Sequence, residues 1–276
     1  MKLVLVKSIA KIGATHWAQG CFIIDVCVAE FEYRRSKCHR RFLSARRLFV
    51  DTGGRNKQYP AYMTQQPVVP PKLRGWFHLG ATPAVIIASL VLFILSNSSL
   101  KFAVAVYSIT AIMLFSVSAV YHRVPWTPAK KKIWRRWDHA NINLLIAGSY
   151  TPFAVALLEG RSRNILLLVV WIGAAIGVGL RVFWLNAPRW LYVANYLLLG
   201  WVAIIYTPAL YREGGLWVLL PILIGGLFYS VGAIFYALKR PGREAKYFGF
   251  HELFHIFVLA AWISQYVAIS VAIYSK

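Results

Sequence analysis

The chain has 276 residues, of which 59% are hydrophobic and only 14% charged, with a mean hydropathy of +0.56. Soluble domains carry about 25% charged residues, so a soluble globular fold is excluded. The net charge of +22 does not point to nucleic acid, because the basic residues fall in short segments between apolar spans, where membrane topology accounts for them.

Residues 1–62 differ in character from the rest of the chain. They hold 12 Lys/Arg and 4 Asp/Glu, including the run Arg34-Arg35-Ser36-Lys37-Cys38-His39-Arg40-Arg41. The apolar stretch Cys21–Phe31 is interrupted by Asp25 and Glu30 and falls short of the ~20 apolar residues that cross a bilayer. Lys7 and Lys11 spoil a secretory signal. Two readings fit: a basic cytoplasmic extension that touches anionic lipid, or a stretch upstream of the true start at Met63. The second is preferred, and in either case little packed structure is expected there. Cys21, Cys27 and Cys38 are the only cysteines, so the body of the chain has neither a disulfide framework nor a cysteine zinc site.

From residue 63 to 276 the sequence reads as one membrane domain. Apolar runs predict helices over 75–97, 101–122, 138–158, 164–184, 190–210, 215–238 and 250–274. Each has the ~17–25 residues of a span, and lipid forces helices because every backbone group must be satisfied within the segment. The fold class is therefore all-α, a seven-transmembrane helical bundle. Fourteen basic residues flank the spans on one side, among them Arg74, Lys130, Lys131, Lys132, Arg135 and Arg181, against five on the other: Lys101, Arg161, Arg163, Arg212 and Lys276. The positive-inside rule then predicts a cytoplasmic N-terminus and an external C-terminus.

This topology brings the polar residues of three spans to one depth near the inner face. Ser118 and His122 end the second span, Asp138 opens the third, and His251 and His255 open the seventh. Histidines at i and i+4 share a helix face and can share a metal. Three histidines with an open position form a common catalytic zinc shell, and ionisable groups at membrane depth mark function. Asp138 is placed to orient a water or take its proton, and Ser118 to bond the water or a developing oxyanion. Singly, each has a plainer explanation: Asp138 as a helix N-cap, Ser118 as a small packing residue, and the histidine pair as chance. His78 and His139 are read as hydrogen-bonded interfacial anchors. His251-Glu252-Leu253-Phe254-His255 also matches the zincin pattern, in which the glutamate is the base, so Glu252 is the alternative base.

Ser118-x3-His122, Trp137-Asp138-His139-Ala140, Ile146-Ala147-Gly148-Ser149-Tyr150-Thr151-Pro152-Phe153 and Gly249-Phe250-His251-Glu252-Leu253-Phe254-His255 resemble the bacterial hemolysin III family, a branch of the progestin and adipoQ receptors. The resemblance covers roughly residues 70–276. It implies a seven-helix bundle with zinc on His122, His251 and His255, and with Asp138 and Ser118 beside the metal's water. It implies kinship with alkaline ceramidases, and hence hydrolysis of a lipid amide. Through the hemolysin label it implies pore-forming cytolysis, and through the bacterial members membrane homeostasis. The leading reading is a multi-pass cell-membrane protein acting as a zinc-dependent hydrolase of a lipid amide or ester, with a membrane lipid or fatty-acyl substrate and no nucleic-acid partner. The alternatives are a non-enzymatic pore former or lipid-state sensor with structural zinc, and an intramembrane metalloprotease. The oligomeric state is left open.

Overall fold

A computed structural model describes residues 71–184, 186–242 and 246–274. The basic extension 1–62, the start at Met63 and the three cysteines lie outside the described residues. Among those described there is helix and connecting turn and no strand. The helices are α1 (Trp76–Leu95), α2 (Lys101–Arg123), α3 (Pro128–Leu157), α4 (Gly160–Phe183), α5 (Arg189–Gly200), a 3-10 turn (Val202–Tyr206), α6 (Thr207–Leu238) and α7 (Phe250–Tyr274).

Six helical stretches among the described residues are long and apolar enough to cross a bilayer: α1, α2, α3, α4, the continuous Arg189–Leu238 and α7. Apolar side chains on their outer faces are left exposed, such as Ile87 (63%), Ile94 (67%) and Leu168 (61%). A face of this kind is stable in lipid and not in water, so the protein is a multi-pass membrane protein. α3 lies at the centre, packed against α2, α4 and α7. Its most apolar segment is 78% buried, against 28% for those of α1 and α4. Gly148 of α3 allows the close approach to α2, because a Cβ there would collide with the Thr110 side chain, and small residues at such crossings let helix backbones meet.

Arg189–Leu238 has 50 residues. As one straight helix it would run roughly 75 Å at 1.5 Å per residue, far beyond a hydrocarbon core of about 30 Å. It is not straight. Gly215 takes φ 69° and ψ −174°, a conformation open essentially to glycine alone. The segments on either side of it lie against each other: Arg189 Nη1 donates to the Tyr236 carbonyl at 2.9 Å, and Trp201 Nε1 to Ser230 Oγ at 2.9 Å.

The helix expected over 190–210 is interrupted. It tightens into the 3-10 turn just before Pro208, which has no N–H to give and crowds the carbonyl four residues back. Tyr150 of α3 satisfies the loosened backbone, donating to the Gly200 carbonyl at 2.6 Å and accepting from Ala203 N at 2.9 Å. Lipid offers no other partner. The third helix also departs from expectation, starting at Pro128 and not at 138. Thr127 caps it, its side chain accepting from Lys130 N, with proline in the first turn. Charge keeps residues 129–136 out of the bilayer core but does not stop them from being helical. Asp138 is therefore an interior residue of α3 and not its N-cap.

Candidate functional site

Four helix ends meet at one end of the bundle: the start of α1, the last turns of α2, the third turn of α3 and the first turn of α7. Ser118 and His122 come from α2, Asp138 and His139 from α3, and His251, Glu252 and His255 from α7. His122 Nε2 lies 3.0 Å from His251 Nε2, and His122, His251 and His255 each offer a ring nitrogen within 4.8 Å of the other two. Ligand nitrogens around a tetrahedral ion with bonds of about 2.0–2.1 Å lie roughly 3.3 Å apart. The rings are inclined to one another, 74° for His122/His251 and 48° for His251/His255, so their edges converge. His251 and His255 are buried, at 9% and 3%, and His122 is partly buried, with 7% of its side chain exposed. Three imidazoles with their nitrogens this close fit a metal ion.

Asp138 Oδ2 is 3.8 Å from His122 Nε2 and 3.9 Å from His139 Nε2, and the Ser118 hydroxyl interacts with the same carboxylate. Ser118 is 2% exposed. The structure thus brings together all five residues that sequence singled out as ligands, base and oxyanion partner. Glu252 faces elsewhere. Its Oε1 pairs with Arg74, and its Oε2 accepts from Gly249 N at 2.9 Å. That second bond is half of a capping box, in which the third helical residue reaches back to the cap N–H. The contact is buried, since Glu252 is 1% exposed.

Two residues were misread from sequence. His78 is no interfacial anchor: it is 2% exposed and stacks on His255 at 4.0 Å between ring centroids and 12° between planes. Arg181, counted among the loop charges that set topology, is 1% exposed. It bonds His139 Nδ1 and lies over the Tyr192 ring at 4.1 Å. An ionisable residue inside the apolar run 164–184 was the available signal for Arg181. Gly75, the left-handed N-cap of α1 at φ 80°, lets α1 begin against the site, because a Cβ there would lie 2.5 Å from His122 Cβ.

The cluster stands between two chambers. On the inner side is an apolar cavity of about 90 Å³, whose lining includes Leu114, Ile142, Tyr196, Phe254 and Val258. The same five residues also line the small space that holds Ser118, Asp138 and His255. On the outer side, a chamber of about 570 Å³ at the end of the bundle is lined by His122, His139 and His251 together with basic side chains.

A family described as Haemolysin-III related matches residues 68–266, which include every residue of the site. Hemolysin-3 of Bacillus cereus is 32% identical over 165 residues, 59% of this chain and 71% of that protein. The Hemolysin-3 homolog of Bacillus subtilis (strain 168) is 31% identical over 166 residues, 59% of this chain and 74% of that protein.

Proposed function

This chain belongs to the haemolysin-III-related family, and on that premise we propose that it is a zinc-dependent intramembrane hydrolase of a lipid amide or ester, acting in membrane homeostasis. The observation that carries the reading is the place of the histidine cluster, on a small space that shares lining with an apolar cavity on one side and with a polar chamber on the other. A lipid has the matching shape, with an acyl chain for one and a headgroup for the other. His122, His251 and His255 would hold the metal, for which zinc is the natural ion of an all-imidazole ligand set. Zinc so held supplies Lewis acidity and makes water a competent nucleophile near neutral pH.

The chain's own groups do the rest. The apolar cavity holds the acyl chain and keeps bulk water from the reacting carbonyl. Asp138 orients the attacking water, takes its proton and passes it to the departing amine or alcohol as the acyl bond breaks. Ser118 donates to the Asp138 carboxylate, and once Asp138 has taken the proton its hydroxyl turns to the oxygen that gains charge. Glu252 is committed to Arg74 and Gly249, which favours Asp138 over the zincin-like alternative.

The proposed topology has seven crossings. The reversal at Gly215 supports dividing Arg189–Leu238 into two, and the basic residues at the histidine end support placing that end in the cytoplasm. The name Hemolysin-3 borne by the relatives supports a second reading, lysis by membrane permeation. One preparation tests both. Detergent-purified protein is analysed for zinc, then reconstituted and assayed for turnover of acyl-amide and acyl-ester lipids and for leakage of vesicle contents. Zinc with turnover and no leakage is expected. Leakage without turnover of any acyl lipid would replace the hydrolase by the permeation reading.

A further inference from the structure

The outer chamber holds a feature that the hydrolase reading does not use. Arg74, Lys131, Arg135, Arg181 and Arg189 all line it, and among the described residues no carboxylate does. Topology explains a basic surface at this end but not a buried one. Charges placed for topology stay hydrated, whereas Arg181 is 1% exposed. One of its nitrogens bonds His139, while Nε and Nη1 have no hydrogen-bond partner. A guanidinium held out of water with N–H groups unsatisfied is costly. Arg189 is partly committed, bonding the Tyr236 carbonyl and lying over its ring, and Arg74 is paired with Glu252. Asp138, on the inner side of the cluster, is the carboxylate that acts on Arg181.

We propose that this chamber binds the phosphate group of a membrane lipid, with Arg181 at its base and Lys131 at its mouth. The proposal rests on the hydrolase reading only for the identity of the adjoining site, and it names the substrate class as phosphate-bearing acyl lipids. Three observations favour it. Arginine forks match phosphate oxygens bidentately. The unsatisfied N–H groups of Arg181 and the ammonium of Lys131, around about 570 Å³ with no carboxylate lining it among the described residues, suit a multiply charged oxyanion. The small space that holds Ser118, Asp138 and His255 shares His139, Tyr192 and His251 with the chamber and Leu114, Ile142 and Phe254 with the apolar cavity, so a headgroup in the chamber has a route for an apolar tail.

Binding tests this without any turnover. Full-length protein in uncharged detergent, at fixed metal content, is titrated with dioctanoyl phosphatidic acid, dioctanoylglycerol and inorganic phosphate, with affinity read by native mass spectrometry and thermal shift. Phosphatidic acid is expected to bind about tenfold or more tightly than dioctanoylglycerol, the scale of one hydrogen-bonded charge contact, and to weaken as salt is raised. Inorganic phosphate should bind more weakly than the lipid, because it has no tail. Arg181→Gln should remove most of the preference. Lys131→Gln, at an exposed position of α3 that leaves the fold intact, should reduce it severalfold. Equal affinity for phosphatidic acid and dioctanoylglycerol would overturn the proposal. So would inorganic phosphate binding as tightly as the lipid, or an unchanged preference in a folded Lys131→Gln variant. Turnover of neutral lipids with no phosphate preference would sink this inference and leave the hydrolase standing. Phosphate-dependent binding without turnover of any lipid would do the reverse.

Discussion

Asp138 and Glu252 are both buried acids within one helix turn of the histidines, yet their surroundings divide the work between them. Asp138 Oδ2 faces His122 at 3.8 Å, whereas both oxygens of Glu252 are occupied by Arg74 and Gly249. Asp138→Asn should therefore keep its zinc and lose lipid turnover by about 10²–10⁴-fold, the scale of general-base catalysis. Glu252→Gln should keep most turnover and lose stability instead, by about 1–3 kcal/mol as a buried charge contact is broken, which thermal unfolding in detergent would report. His122→Ala, His251→Ala and His255→Ala should each lower bound zinc, measured by elemental analysis of the purified variants, because two imidazoles make an incomplete shell. The ligand candidates were legible because sequence fixes depth: two lie one turn apart on one helix, and the third ends another span. His78 was not legible as a neighbour of His255, because depth says nothing about which way a helix is turned. Arg181 was hidden by the rule that explains basic residues by topology.

The helices obey the same division between what local pattern determines and what packing decides. Apolar length located α1, α2, α4 and α7 to within a few residues. It missed the first ten residues of α3, because hydropathy marks where the bilayer ends and Thr127 marks where the helix begins. It also missed the 3-10 turn, which depends on a tyrosine from a distant helix to satisfy its backbone. Gly215 is the element-scale residue with the sharpest consequence. At φ 69° and ψ −174° an alanine is strained by about 1–3 kcal/mol. Gly215→Ala should lower the unfolding midpoint while leaving zinc content near wild type, since the turn is remote in sequence from every ligand. At Gly75 the outcome differs: a methyl group would press on His122 Cβ, so Gly75→Ala should lose metal although residue 75 contributes no ligand atom.

At the scale of the whole molecule, the histidine cluster and the larger share of the flanking basic residues occupy the same end of the bundle. If positive charge stays on the cytoplasmic side, the site opens there. A cysteine placed at exposed Lys132, with Cys21, Cys27 and Cys38 replaced, should react with a membrane-impermeant thiol reagent only in inverted vesicles. A reporter fused after Lys276 should be accessible from outside. The opposite pattern would turn the site toward the exterior. On the proposed hydrolase reading, the two chambers on either side of the histidines also give the chemistry a direction. When an amphiphile is cut where its halves occupy different compartments, the halves need not leave together. The greasy fragment stays with the bilayer, and the polar fragment escapes into water at the basic end. Sorting of this kind draws a hydrolysis forward without any coupled energy source, because the fragments no longer share a phase in which to recombine.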